Sequence, residues 1–485
     1  MAVSFQTASE TYRPIDLRNI SQTPQWDLLQ GELQQAIRVV GEVLPFRTNQ
    51  FVLDSLIDWS KVPDDPIFQL VFPQRGMLKD RDFEVVQSAL DGGDGATNLA
   101  SEVARIRETL NPHPAGQMTH NVPKLDGRLL PGLQHKYPET VLFFPAPGQT
   151  CHAYCTYCFR WAQFVGREDL KFQTHETDDL VAYLKVHPEV SDVLITGGDP
   201  MIMRTTVLRR YIEPLLVPEL EHVQNIRIGT KALAYWPQRF VSDRDADDCL
   251  QLFEQVADAG RHLAVMGHYS HPVELDSSMA TEAVRRIRMT GAQIRMQGPL
   301  IRHVNDQPSA WSSLWTKGVG QGLIPYYMFV ERDTGARNYF EVPLVRAYQI
   351  FKEAYSQVSG LCRSVRGPSM SAFPGKVRIL GVVTLRDMMD MNLLDLIKES
   401  AGFELLGEPE RQLMVCDFVQ ARTPDWVRKP FFAELDEDAA WFDDLRPAFG
   451  KQNFYFEKPT DLGHQHSLLE LTEMLLELGF LKPCY

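Results

Sequence analysis

The stretch "TVLFFPAPGQTCHAYCTYC" (residues 140–158) joins a short apolar run to three closely spaced cysteines. The run at 140–147 has the continuous apolar character of a strand that is buried on both faces. Cys151, Cys155 and Cys158 follow it in one loop, although the whole chain has only 7 cysteines. We therefore predict that the loop after this strand forms a functional site.

Five similar apolar runs follow along the chain, separated by amphipathic stretches that predict helices. The runs are "DVLITGGDP" (192–200), "NIRIGTKA" (225–232), "HLAVMGHYS" (262–270), "QIRMQGPLI" (293–301) and "IPYYMFV" (324–330). Six βα units in sequence predict a parallel sheet with right-handed crossovers. We predict an α/β fold, namely a partial (β/α)6 barrel of the TIM type with an N-terminal helical region and a C-terminal extension.

Polar residues follow the predicted strands, which supports the strand predictions because reactive groups in such folds lie at the C-terminal ends of strands. These residues are Cys151, Gly197, Gly198, Asp199, Thr230, Lys231, His268, Gln297, Glu331 and Arg332.

The pattern of apolar residues divides the chain into three regions: 1–135, mainly helical; 136–345, the barrel; and 346–485, a lysine-bearing segment with a C-terminal extension. Helices are predicted at 27–44, 96–110, 346–357 and 466–480. The last of these begins with a capping box, in which Ser467 precedes Glu470.

Composition excludes several classes of protein. The formal net charge of −14 argues against a nucleic-acid partner, which needs a clustered basic surface. The N-terminus lacks the basic and apolar segments of a signal peptide, and no apolar run approaches the ~20 residues of a membrane span. The remaining cysteines, Cys249, Cys362, Cys416 and Cys484, are scattered singly and do not form a disulfide framework. We expect a cytoplasmic protein with neither a nucleic-acid nor a membrane partner.

The three cysteines of the loop suit a metal centre, because thiolates are soft ligands for zinc or iron–sulfur clusters. A structural zinc site needs four ligands, usually in two separated pairs, and Cys155 and Cys158 have no second pair downstream. A redox dithiol would leave Cys151 without a role. Three buried structural cysteines remain the alternative. Three thiolates on one loop can hold three irons of a 4Fe–4S cluster and leave the fourth open to a ligand.

The spacing CxxxCxxC after the first strand of a partial βα barrel resembles the signature of radical S-adenosylmethionine enzymes. "TGGDP" (196–200) is similar to the glycine-rich motif that receives the methionine amino group in that family. The resemblance implies a 4Fe–4S cluster on the three cysteines, S-adenosylmethionine on the open iron, and an external one-electron reductant. The residues expected to bind this cofactor are Gly197, Gly198, Asp199, Thr230, Lys231, His268 and Gln297.

Within that class the chain resembles the lysine 2,3-aminomutase family over about residues 60–380. The motifs that carry the resemblance include "PGLQHKYPETVLFF" (131–144), "GHYSHPVEL" (267–275), "GAQIRMQGPLIRHVND" (291–306) and "PYYMFV" (325–330). The resemblance implies an isomerase in which a deoxyadenosyl radical removes a β-hydrogen and the α-amino group of an amino acid moves to the β-carbon.

The same resemblance implies pyridoxal 5′-phosphate bound covalently to Lys376, which lies in "AFPGKV" (372–377) where the family has its cofactor lysine. Lys136 takes the place of the family's phosphate-binding arginine. A lysine can bind a phosphate through its positive charge, although it cannot form the paired, bidentate hydrogen bonds of an arginine. The alternatives are that Lys376 is a surface lysine beside a turn, and that Lys231 holds the cofactor instead.

Three positions bear on the substrate. Arg160 matches the arginine that binds the substrate α-carboxylate in the family, while Arg332 and Ser369 stand where the lysine enzymes have two aspartates. A buried arginine that faces an ammonium group is costly, so we expect an acidic or neutral side chain on a small-molecule amino acid substrate. An alignment shifted by one residue would make Glu331 or Asp333 the counterpart and restore a cationic substrate.

Further expectations concern metal, assembly and alternative functions. Gln307 stands where some relatives have a zinc-binding cysteine, and Cys416 and Cys484 are too far apart to complete such a site, so we expect no structural zinc. We expect a homo-oligomer. The alternatives to an aminomutase with a new substrate are lysine 2,3-aminomutase itself, another radical transformation with the same cofactors, and a non-catalytic iron–sulfur protein.

Overall fold

The computed structural model describes residues 11–92, 95–112, 121–166, 170–384, 386–387 and 410–457. The chain divides into two compact units, one made of Met1–Val342 with Ile350–Arg366 and the other of Pro343–Gln349 with Gly367–Tyr485. The helix predicted at 466–480, with Ser467 and Glu470, and Cys484 lie outside the described residues. The division into three regions stays a prediction.

The first unit is built on a large sheet. Four short strands come before it: β1 (Pro14–Ile15), β2 (Thr48–Asn49), β3 (Lys124–Leu125) and β4 (Arg128–Leu129). The sheet strands of this unit are β5 (Leu133–Tyr137), β6 (Thr140–Phe143), β7 (Asp192–Ile195), β8 (Asn225–Thr230), β9 (His262–His268), β10 (Gln293–Leu300) and β11 (Ile324–Val330). Strands β6 to β11 pair in sequence order and are parallel, whereas β5 is antiparallel to β6.

All six predicted strands are therefore present. Ile226 and Ile228 on β8 alternate with less buried residues and are fully buried, as β-branched residues in a packed sheet should be. Thr230 pairs with Gly267 and His268 pairs with Gln297, so the C-terminal ends of neighbouring strands meet at one edge of the sheet. These observations establish a mixed α/β fold with a large sheet. Its closure into a partial barrel stays a prediction.

Helices lie between the strands and in the N-terminal region. Those of the first unit are Gly31–Val43, Pro66–Val71, Asp80–Asp91, Gly95–Leu110, Thr177–Lys185, Thr205–Ile212, Ala232–Tyr235, Ala246–Asp258, Ser278–Met289, Pro308–Gly320 and Arg337–Phe340, and Leu344–Ser356 follows. No helix in the described part of the chain is long and apolar enough to cross a membrane.

The helix predicted at 27–44 is shorter than its apolar pattern suggested. A 3-10 turn covers Pro24–Leu28, and Leu29 and Gln30 are extended before the helix begins at Gly31. The helix predicted at 96–110 is Gly95–Leu110 in the structure.

The second unit contains antiparallel strands that the sequence analysis did not assign. They are β12 (Arg366–Ser371), β13 (Gly375–Thr384), β14 (Gln412–Ala421) and β15 (Pro430–Glu434). Aromatic rings pack together in this unit, with Phe418 centred 5.5 Å from Phe431 and 5.0 Å from Phe456. The segment that begins at residue 430 thus contributes strand β15 and the buried ring of Phe431.

Candidate functional site

The cysteine loop begins later than the sequence analysis expected. Strand β6 ends at Phe143, and the 3-10 turn Ala146–Gly148 separates it from Cys151. Burial raises the pKa of the Cys151, Cys155 and Cys158 thiols. In the part of the chain that the structure describes, no three His, Cys, Asp or Glu side chains are placed to hold a metal ion. The cluster on these cysteines therefore stays a prediction.

The donor set nevertheless fits an iron–sulfur centre. Three thiols on one loop are soft ligands, and metal binding would displace the protons that burial favours. Cys151, Cys155 and Cys158 are free thiols, each partly accessible.

The N-terminal region fixes the backbone of this loop. The Tyr154 amide donates to the Arg47 carbonyl at 2.8 Å, and the Thr156 amide donates to the Leu70 carbonyl at 2.9 Å. The Thr156 hydroxyl also donates to the carbonyl of Gln69 at 2.8 Å. The sequence analysis missed this role, because nothing in the local pattern of residues 45–70 signals a partner about 100 positions away.

The glycine-rich turn after β7 packs directly on the residues that precede Cys151. The Asp199 amide donates to the carbonyls of Gly148 at 3.0 Å and Thr150 at 2.7 Å. A Cβ atom on Gly198 would lie 2.4 Å from the Thr150 amide nitrogen. Only glycine permits so close an approach of two backbones. The turn therefore helps to shape the cysteine loop.

The Asp199 carboxylate links two strand ends. It accepts hydrogen bonds from the Thr230 hydroxyl at 2.7 Å, the Lys231 amide at 2.9 Å and the Met201 amide at 2.9 Å. Burial raises the pKa of Asp199 to about 6 despite these hydrogen bonds. Three residues that the sequence predicted at the cofactor site thus meet at this carboxylate.

The Lys231 side chain is part of a buried ion pair. Its Nζ lies 2.6 Å from Oε1 of Glu274 and 3.3 Å from the Ser270 hydroxyl. Glu274 is fully buried. An amine held in a buried ion pair is a poor nucleophile, so the arrangement disfavours Lys231 as the lysine that holds pyridoxal phosphate. Glu274 was missed, although a carboxylate in the motif "GHYSHPVEL" was a visible candidate.

The end of β9 approaches the cysteine loop through Tyr157. The Tyr157 hydroxyl lies 2.9 Å from Nε2 of His268 and 3.2 Å from the Ser270 hydroxyl. Burial, together with the charge of Lys231, holds the pKa of His268 well below its usual value, so the ring is neutral. Gln297 is the β10 residue in register with His268.

Arg160 lies beside the loop and is half-buried, with its Nε atom fully buried. Its Nη2 donates to the side-chain oxygens of Gln149 at 3.1 Å and Gln163 at 2.6 Å, and the group stacks 4.5 Å from the centre of the Phe144 ring. Burial lowers the pKa of Arg160 to about 10. Among the described residues its side-chain hydrogen-bond partners are these two neutral amides, and no carboxylate is among the charges that act on it. This arrangement suits the binding of an incoming carboxylate.

Three charged residues follow β11. The Arg332 side chain is 35% exposed, lies 3.9 Å from Oδ1 of Asp333, and is positioned over the Phe159 ring. Glu331 and Asp333 are buried. Burial raises the pKa of Glu331 well above its usual value. The segment therefore offers both a cation and two carboxyl groups.

The remaining predicted residues are divided between the units. Lys136 lies on β5, with its Nζ 5.2 Å from the Tyr137 ring centre. Ser369 and Lys376 lie on the paired strands β12 and β13 of the second unit. A Cβ atom on Gly375 would lie 2.4 Å from the Gln420 carbonyl oxygen, so the glycine before Lys376 is needed for strand pairing. The cofactor roles of these residues stay predictions.

Comparison with known proteins gives the following relatives. No protein-family model matches the chain. The chain is 31% identical over 368 residues to a protein of Aquifex aeolicus (strain VF5) named "Putative L-lysine 2,3-aminomutase", and the match covers 76% of this chain and 84% of that protein. It is 28% identical over 233 residues to L-lysine 2,3-aminomutase of Clostridium subterminale, covering 48% of this chain and 52% of the relative. The match thus spans about half the length of the Clostridium enzyme.

Among solved structures, a radical SAM methyltransferase from Sphaerobacter thermophilus matches with a TM-score of 0.34 and 15% identity, over 47% of this chain and 66% of that one.

The cysteine triad after β6 and the aminomutase relatives place the chain in the class of radical S-adenosylmethionine proteins. Within that class, the chain belongs to the L-lysine 2,3-aminomutase family.

Proposed function

We propose that the protein is a radical S-adenosylmethionine isomerase, specifically a pyridoxal-phosphate-dependent amino acid 2,3-aminomutase. The observation that carries the proposal is the meeting of three strand ends at the cysteine loop. Asp199 bonds to Thr150 and Thr230, and Tyr157 bonds to His268. Such convergence is expected where a sheet positions reactive groups at the C-terminal ends of its strands.

The cofactors would be held by residues already described. Cys151, Cys155 and Cys158 would hold a 4Fe–4S cluster, and the cofactor-binding residues at the strand ends would hold S-adenosylmethionine. Lys376 would hold pyridoxal phosphate, with Lys136 near its phosphate. When bound, these groups supply the radical that removes hydrogen and the carrier on which nitrogen migrates.

The chain itself would bind and orient the substrate. Arg160 offers a buried positive charge for the α-carboxylate, since no carboxylate of the described residues pairs with it. The buried ring of Phe144, centred 4.5 Å from the guanidinium carbon, shields one side of the group from water. A charge–charge contact is stronger where water is excluded.

The side chain of the substrate is proposed to be acidic or neutral. The reason is that Arg332 and Ser369 stand at the two positions where the lysine enzymes have aspartates. Lysine is the second candidate. The observation that favours it is Asp333, a buried carboxyl group next to Arg332, since burial raises the pKa of Glu331 and so favours its neutral form.

The wider proposal includes a partial (β/α)6 barrel, an external one-electron reductant, a cytoplasmic setting and a homo-oligomer. The parallel order of β6 to β11 supports the barrel.

The proposed function is tested by anaerobic reconstitution with iron, sulfide and pyridoxal phosphate, followed by incubation with S-adenosylmethionine, dithionite and each amino acid in turn. Mass spectrometry would identify a β-amino acid as product. Conversion of glutamate, aspartate or a neutral amino acid in preference to lysine supports the proposed substrate class. Preference for lysine supports the second candidate, and no conversion of any amino acid contradicts the aminomutase proposal.

A further inference from the structure

The Arg160 guanidinium is held by two neutral side chains. The same Nη2 atom donates to Oε1 of Gln163 at 2.6 Å and to Oε1 of Gln149 at 3.1 Å. Gln163 is buried. The Nε atom of Arg160 is also buried and has no hydrogen-bond partner among the described residues. The guanidinium is therefore fixed at one nitrogen and has donor capacity left over.

The Gln149 amide is itself oriented by the backbone. Its Nε2 donates to the Pro145 carbonyl at 3.0 Å, which turns Oε1 toward Arg160. A Cβ atom on Gly197, where φ is +145°, would lie 2.0 Å from that Nε2. The glycine of the turn after β7 thus makes room for the glutamine that contacts Arg160.

The choice of glutamine over glutamate decides what Arg160 can bind. A carboxylate at either position would form an ion pair with the buried guanidinium and neutralise it. An amide oxygen accepts the same hydrogen bond and leaves the positive charge uncompensated. A cavity of about 320 Å³ adjoins the two glutamines, and its lining also includes Thr150 and Lys171.

We infer that Gln149 and Gln163 are positioning residues, which hold the Arg160 guanidinium through neutral oxygens so that its charge remains available to a substrate carboxylate. The inference rests on the proposed function for the identity of the substrate. That the two glutamines position Arg160 does not depend on the proposed function.

The kinetic test uses Gln163→Glu in the reconstituted enzyme, with whichever amino acid the wild type converts. We expect KM to rise about 10- to 100-fold, because a charged hydrogen bond to the carboxylate is lost, while kcat changes less than about threefold. Gln163→Met, which removes the oxygen without adding charge, should raise KM by a smaller factor. The control is Gln255→Glu, since Gln255 accepts from Arg209 at the surface at 2.6 Å. It should leave KM and kcat within about twofold.

A second measurement does not require turnover. Phenylglyoxal labelling of Arg160, read by peptide mass spectrometry, should slow about fivefold or more in Gln163→Glu, because an ion pair shields the guanidinium. Gln255→Glu should not change labelling at Arg160. Slowed labelling without turnover of any amino acid supports the positioning role of Gln149 and Gln163 and overturns the aminomutase proposal. Unchanged labelling of Arg160, or a KM for Gln163→Glu equal to that of the control, overturns the positioning role of the two glutamines. Equal iron content and far-UV circular dichroism verify that each variant is folded.

Discussion

The Nζ atom of Lys231 lies 2.6 Å from Oε1 of Glu274, and both side chains are buried. The other oxygen of Glu274 accepts from the Ser270 amide at 2.5 Å and the His271 amide at 3.1 Å. The pair thus joins the residue after β8 to the loop after β9. Besides this ion pair, the Lys231 Nζ atom lies 3.3 Å from the His268 carbonyl oxygen and 3.3 Å from the Ser270 hydroxyl, so several buried contacts of one amine join the two strand ends.

Removing one partner of this pair should be strongly destabilising. Glu274→Met leaves the Lys231 ammonium buried without a counter-charge, and the expected loss is about 3–5 kcal/mol in the free energy of unfolding. Chemical denaturation followed by circular dichroism measures it. The double variant Lys231→Met with Glu274→Met should recover part of the loss, because no unpaired charge remains.

The control for this prediction is an exposed ion pair. Lys317 and Asp276 lie 2.5 Å apart with 40% and 51% of their side chains exposed, so Lys317→Met should cost less than about 1 kcal/mol. An equal, small effect of Glu274→Met would show that the buried pair contributes little.

The turn after β7 should be intolerant of any side chain. In Gly198→Ala the new Cβ would lie 2.4 Å from the Thr150 amide nitrogen, and the cysteine loop would have to move. We expect most of the bound iron and sulfide to be lost after anaerobic reconstitution, as measured by colorimetric assay. Gly320→Ala is the matched control, since a Cβ there meets nothing within 4 Å. Full iron retention by Gly198→Ala would contradict the proposed packing.

Each cysteine of the loop should be needed for the cluster. Cys151→Ser, Cys155→Ser and Cys158→Ser should each bind far less iron than the wild type, because serine is a harder and less acidic ligand than cysteine. Cys362→Ser changes a buried cysteine elsewhere in the chain, and this variant should bind as much iron as the wild type. Equal iron content in the variants of Cys151, Cys155 and Cys158 and in the Cys362 variant would contradict a cluster bound by the three cysteines.

Lys376 should carry the second cofactor. Borohydride reduction in the presence of pyridoxal phosphate should fix a pyridoxyl group on Lys376, and peptide mass spectrometry would locate it. Lys376→Ala should abolish this label, whereas Lys352→Ala, at an exposed lysine, should leave it unchanged. Labelling of Lys136 or Lys231 in place of Lys376 would refute the assignment.

The sequence predicted the six parallel strands well because their signal is local. Ile226 and Ile228 alternate with Asn225 and Arg227, and such a local pattern is visible without knowledge of the residues that pack against it. The glycines at 197 and 198 were also visible. The physical reason for them was not visible, because the approach of Gly197 to the Gln149 side chain and of Gly198 to the Thr150 backbone depends on a contact between separate loops.

Other features could not be predicted because they join distant parts of the chain. The cysteine loop donates backbone hydrogen bonds to Arg47 and Leu70, and Lys231 forms an ion pair with Glu274. No local sequence pattern indicates these contacts. The strands of the second unit were missed because their apolar residues are interrupted by charged ones such as Asp417. This residue is buried and pairs with Arg378 at 2.7 Å and with Arg428 at 3.1 Å.

The most direct test of the whole account is the release of 5′-deoxyadenosine. Protein reconstituted anaerobically with iron and sulfide, given S-adenosylmethionine and dithionite, should produce 5′-deoxyadenosine and methionine, as followed by liquid chromatography. The same protein carrying Cys155→Ser should produce none. If the wild-type protein holds zinc or no metal at Cys151, Cys155 and Cys158, or cleaves no S-adenosylmethionine when reduced, the account is wrong.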